Sequence, residues 1–98
     1  MNTNKIKTYV GFAIRSRKII FGYDNIVTYK KMQNLILVSS TVNEKVKGKI
    51  NSFAENKNIK IVNLQGITVE ELTDRDNSKI ISIIDESLSN AIISQLEC

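Results

Sequence analysis

The sequence predicts an α/β fold, a three-layer α/β/α sandwich around a small mixed, mostly parallel four-stranded sheet. Two observations carry that expectation. Short apolar runs alternate with stretches of helical spacing in the order α, β, α, β, α, β, α, β, α, the pattern of a sheet covered by helices on both faces. There is also no Pro, and the four glycines are scattered. Nothing therefore marks a linker, and residues 1–98 are expected to form one domain, long enough for a single modest core.

Each element has its own signal. Residues 4–15 place Ile6, Val10, Ala13 and Ile14 at helical spacing, with Lys5, Lys7 and Arg15 off that stripe. Lys18 to Phe21 reads as a short strand ended by Gly22. From Tyr23 the spacing is helical again, through Ile26, Val27 and Lys30, and Met32–Asn34 closes it. Leu35–Val38 is an apolar run of the kind found in strands buried on both faces. Thr41 and Glu44 have capping-box spacing, and Val46, Ile50, Phe53 and Ala54 follow at helical intervals until Asn56–Asn58. Ile59–Leu64 alternates as a strand, and Gln65 and Gly66 turn the chain. Thr68 and Glu71 repeat the capping-box spacing and open a short helix through Leu72. After a polar loop, Ile80–Ile84 is the last strand, and Asp85 or Ser87 caps a final helix carrying Leu88, Ala91, Ile92 and Leu96. In such sheets function gathers in the loops at strand ends, here Gly22–Asn25, Ser39–Asn43 and Gln65–Thr68.

Composition excludes several classes of chemistry. No His is present and the one cysteine, Cys98, is the last residue. Zinc sites, Ser-His or Cys-His nucleophiles and an internal disulfide are therefore not expected. The acids fall singly or as neighbours, such as Glu70–Glu71, which do not face each other on a helix. Asp74-Arg75-Asp76-Asn77 resembles a calcium loop but lacks the central glycine and the distal glutamate. No glycine-rich phosphate loop occurs. The expectation is a protein that is not an enzyme, with no cofactor, no metal and no small-molecule substrate. The apolar runs are too short to cross a bilayer and the N-terminus has no signal-peptide core, so a cytoplasmic location is expected. The sequence does not fix the oligomeric state, and a monomer is the default expectation.

Charge is distributed unevenly. The net charge is +4, but residues 1–31 hold five lysines and two arginines against Asp24 alone, a local net of +6. Residues 32–98 are therefore net −2. A basic first third suggests an anionic partner, and a lysine-rich solvated helix face is the equally weighted alternative.

The layout from residue 4 to residue 96 resembles the kink-turn RNA-binding ribosomal proteins, the large-subunit 7Ae/30e family, and in particular its small bacterial YlxQ-like branch. The resemblance rests on A-I-R-S-R-K-I-I-F-G, on L-I-L-V-S-S with a capped helix nearby, and on I-K-I-V-N-L continued by Q-G-I-T-V-E-E-L. It implies a ribonucleoprotein component that binds structured RNA, kink-turn-like or ribosomal. The implied contacts are the start of the second helix, at Gly22, Tyr23, Asp24, Asn25 and Thr28, and the loop Gln65, Gly66, Ile67 and Thr68. Asp24-Asn25 keeps the family's carboxylate and amide in reverse order, and Thr28 stands at its lysine position.

The residues support such a site on their own terms. A helix start presents free N–H groups, Gly22 admits close backbone approach, and Asn25 and Asp24 can read base edges. Arg15, Arg17, Lys18, Lys30 and Lys31 would position phosphates. Each also has a purely structural reading. Gly22 can end a strand and Asp24 can be a first-turn acid. Arg15, Arg17 and Lys18 can offset a helix dipole, and Tyr23 can be a core-edge aromatic. A protein-interaction or scaffold module that keeps the fold without RNA recognition is therefore the alternative function.

Overall fold

The chain, a computed structural model described at residues 2–75 and 78–97, forms the elements in the expected order. They are α1 (Thr3–Arg15), β1 (Ile19–Phe21), α2 (Tyr23–Thr28), β2 (Leu35–Val38), α3 (Glu44–Lys57), β3 (Lys60–Asn63), α4 (Val69–Thr73), β4 (Ile80–Ile83) and α5 (Glu86–Leu96). None of these helices is long and apolar enough to cross a membrane. Cys98 and the Asp76-Asn77 part of the calcium-loop reading lie outside the described residues.

Period-2 alternation in the central strands builds a core on each face of the sheet. Leu35, Leu37, Ile81 and Ile83 pack with Ile6, Val10 and Ala13 of α1, Leu72 of α4 and Ile92 of α5. Ile36, Val38 and Ile80 point the other way, to Ile26 of α2 and to Ile50 and Ala54 of α3. This is the three-layer sandwich, and both β2 and β4 are buried along their whole length. The polar Ser82 interrupts the α2/α3 face of β4, and its Oγ donates to Gln33 Oε1 at 2.6 Å. Gln33 Nε2 in turn donates to the Ile26 carbonyl at 3.0 Å, so this buried pair is satisfied.

The strand order is β1-β4-β2-β3. Only β2 and β3 pair in parallel, while β4 is antiparallel to both β1 and β2. The sheet is thus mixed rather than mostly parallel. The difference lies in the β3–β4 connection: after α4 the chain re-enters the sheet from the end at which β3 left it, so β4 runs against its neighbours.

Caps fix where the helices begin. Thr68 Oγ1 accepts from Glu71 N, and Asp85 Oδ2 accepts from Leu88 N, as the spacing predicts. The Thr41/Glu44 capping box does not form. Asn43 Oδ1 takes the role instead, accepting from Val46 N at 2.9 Å, because Thr41 is engaged elsewhere and Val42 is buried between them.

Candidate nucleic-acid interface

Because β1, β2 and β3 point one way, the sheet has two unlike ends. Gly22, Ser39 and Leu64 leave at one end, where the Gly22 and Ser39 N–H groups donate to Ile80 and Lys79 on the incoming β4. Lys18, Asn34 and Lys60 stand at the other end. There Ile84 N donates to the Lys18 carbonyl, Asn34 N donates to Ile83 O, and Leu35 registers with Lys60.

At the Gly22 end, the residues expected to read RNA are mostly engaged within the chain. Gly22 has φ 88 and ψ 149, a conformation that strains any residue with a Cβ, although no atom lies within 4 Å of where that Cβ would sit. Asn25 Nδ2 donates to Phe21 O at 2.9 Å, and Thr28 Oγ1 donates to Asp24 O at 2.8 Å. Tyr23 is half-buried against the α3 side of the core, while Asp24 is exposed in the first turn of α2. Gln65 and Gly66 are exposed, and Gly66 has a positive φ of 73. Thr68 is occupied as a cap, and Ile67 is buried in the core at 5% exposure rather than presented to a ligand.

A second polar cluster at this end is also complete in itself. The fully buried Ser39 donates to Glu70 Oε1 at 3.0 Å and accepts from Val69 N at 3.2 Å. Thr41 Oγ1 lies 3.1 Å from Ser39 Oγ and 3.4 Å from Glu70 Oε2. These bonds tie the β2–α3 loop to the start of α4. The helix starts and loops here carry Asp24, Glu44, Glu70 and Glu71 against Lys45, Arg75 and Lys79. Arg75 stacks on the Phe21 ring at 4.3 Å. Among the described residues this end has no cationic surplus.

Of the cations singled out in the sequence, Arg17, Lys18, Lys30 and Lys31 stand at the opposite end. Arg15, in the last turn of α1, turns its guanidinium back along that helix, 4.8 Å from the Phe12 ring, and lines a pocket with Leu72, Thr73 and Asp74 on the other face of the sheet. Arg17 turns the chain with φ 60, and Lys18 follows at the start of β1. Lys30 and Lys31 come after α2 has run away from Gly22, so they do not flank Gly22 as the sequence suggested. They line a groove of about 870 Å³ between the 29–34 segment and the end of α3. Its other walls include Val27, Tyr29, Met32, Asn34, Phe53, Lys57, Asn58, Ile59 and Lys60.

Among the described residues no acid lines that groove, which holds four lysines. Lys60 pairs with Glu97 at 3.7 Å. Lys30, Lys31 and Lys57 have no carboxylate within 4.0 Å among the described residues. Of the nearby acids, Asp85 is occupied capping α5 and Glu86 sits beside it in the first turn of that helix. Lys57, Lys60, Tyr29 and Phe53 escaped the sequence reading. Nothing local in the sequence marks them as neighbours: the parallel pairing of β2 with β3 brings together the segments that precede those two strands.

No family model matches the chain, and no curated protein matches it. Among solved structures, a protein of unknown function from Bacillus halodurans superposes with a TM-score of 0.81 at 18% identity, over 96% of this chain and 98% of that one. At that identity the likeness establishes the shared fold. Among the described residues, no group of three His, Cys, Asp or Glu side chains is placed to hold a metal ion.

Proposed function

We propose that the chain is a non-catalytic RNA-binding protein that takes up structured RNA at the Lys18 end of its sheet. The observation that carries this reading is the gathering of Arg17, Lys18, Lys30, Lys31 and Lys57 at one end, all exposed and none paired with a carboxylate among the described residues. Lysines and arginines so placed neutralise phosphates and release counterions, which is the dominant source of affinity in such complexes. The resemblance to the kink-turn-binding ribosomal proteins points to the same partner, with ribosomal RNA as its class. In this reading the protein works in the cytoplasm as a monomer and has no small-molecule substrate.

The test is a gel-shift series with kink-turn, stem-loop and plain duplex RNAs at low salt. Binding to at least one of them, weakening as salt rises, is the expected result. Failure with all of them at low salt removes the assignment. The second reading, a protein-interaction module, is favoured by Met32, whose side chain is 80% exposed and large enough to anchor a protein partner. The same series separates the two.

A further inference from the structure

We propose that the groove between the 29–34 segment and the end of α3 seats an unpaired RNA nucleotide, its base on the apolar floor and its flanking phosphates on the lysines of the rim. This inference rests on the RNA-binding reading and goes beyond it by naming the kind of RNA and the seat of the base.

Size comes first. A volume of about 870 Å³ lies within the several-hundred-Å³ range of small-ligand clefts, room for a base and its sugar. A paired duplex keeps its bases stacked and offers such a cleft only backbone. The floor comes next. Tyr29 and Phe53 are half-buried and both line the groove, with Val27 and Ile59 beside them. Stacking on aromatic side chains is sequence-tolerant because every base has a π-face.

The rim supplies the charge. Lys30, Lys31 and Lys57 surround the apolar floor with no acid between them, so the cleft complements a ligand that is flat and apolar at its centre and anionic at its edges. The negative pole of α3 ends in this wall, which moves the phosphates toward Lys30 and Lys31 and leaves the base near Phe53. Asn34, half-buried on the same wall, has a side-chain amide with no hydrogen-bond partner among the described residues. An amide offers both a donor and an acceptor to a base edge. Gln33, by contrast, is turned inward to Ser82 and Ile26 and serves to hold the segment in place.

The experiment compares a labelled single-stranded RNA of mixed sequence with the same strand annealed to its complement, by fluorescence anisotropy across a salt series. The variants are Tyr29→Leu, Phe53→Leu and Lys30→Gln/Lys31→Gln, each checked for native unfolding temperature. Leucine keeps Phe53 apolar while removing the ring, and the unfolding temperature reports what the three lost carbons cost in packing.

The single strand is expected to bind more tightly than the duplex. Each leucine variant should lose about tenfold in affinity for the single strand with an unchanged salt slope, whereas the double lysine variant should flatten that slope. Equal affinity for single strand and duplex overturns the proposal. So does full affinity in both leucine variants while the lysine variant is impaired, and in that case RNA binding by the basic end survives without a base seat. Binding of neither RNA overturns the seat. Whether the RNA-binding reading falls with it is settled by the folded-RNA series, because a kink-turn or stem-loop that still binds leaves that reading standing.

Discussion

Gln33 shows how a single residue can hold a site together without touching a ligand. It is 6% exposed, and its amide spans from the Ile26 carbonyl at the end of α2 to Ser82 in the middle of β4. In the sequence it sits between Met32 and Asn34 and has no apolar periodicity around it. Its partner is forty-nine positions away, so no local pattern could reveal it. Replacing it by Leu strands the Ser82 hydroxyl in the core, a loss of about 1–3 kcal/mol. Ser82→Ala strands the Gln33 carbonyl oxygen in the same way. The double variant Gln33→Leu/Ser82→Ala removes both partners and is expected to be less destabilised than the sum of the singles. Urea unfolding of the four proteins in a double-mutant cycle measures this coupling, and strict additivity would contradict it. Asn25 and Thr28 teach the converse lesson. Their residue types suit base reading, but each side chain bonds back to the backbone one turn earlier, an option open to these short polar groups that sequence cannot exclude.

At the scale of elements, type and order were legible and the caps were only partly so. Thr68 and Asp85 cap where the spacing places them, because each stands directly before an apolar-periodic stretch with nothing competing for its oxygen. Thr41 has the same T-x-x-E spacing, yet Ser39 and Glu70 draw its hydroxyl toward α4. Helix α3 then starts two residues later, on Asn43. Glu70 lies twenty-nine positions from Thr41, so the competitor is invisible to any window of the sequence. The expected consequence is unequal sensitivity. Asn43→Ala should cost about 1 kcal/mol, and Thr41→Ala less, since Thr41 is exposed and water can take the place of its hydroxyl at Glu70. Denaturation midpoints at constant m-value report the difference, and a larger loss at Thr41 would restore the capping box. The direction of β4 was illegible for a related reason. Alternation of strand and helix suggests parallel crossovers, and nothing in the 64–79 stretch distinguishes a connection that crosses the sheet from one that turns back, because α2 and α4 are similarly short.

Over the whole molecule, topology converts a basic first third of the sequence into a basic end of the fold. The local charge of residues 1–31 was legible, but its distribution was not. Six residues of α2 carry the chain from Gly22 to the opposite side of the sheet, separating Lys30 and Lys31 from the glycine they follow in sequence. The same topology brings Lys57 and Lys60, from the more acidic remainder of the chain, to join them. If this placement governs binding, then where a charge is lost matters more than how much charge is lost. Two triple variants lower the net charge from +4 by the same three units. Lys30, Lys31 and Lys57 changed to Gln alter the basic end. Lys45, Lys49 and Lys79 changed to Gln lie on α3 and at the Gly22 end. The first variant is expected to flatten the slope of log affinity against log salt by about two to three for any RNA the protein binds, close to one per phosphate contact removed. The second should leave the slope near its starting value, losing only the weak long-range attraction that salt screens beyond about 8–10 Å. Equal losses in the two variants would mean that overall charge, not the Lys18 end, draws the RNA.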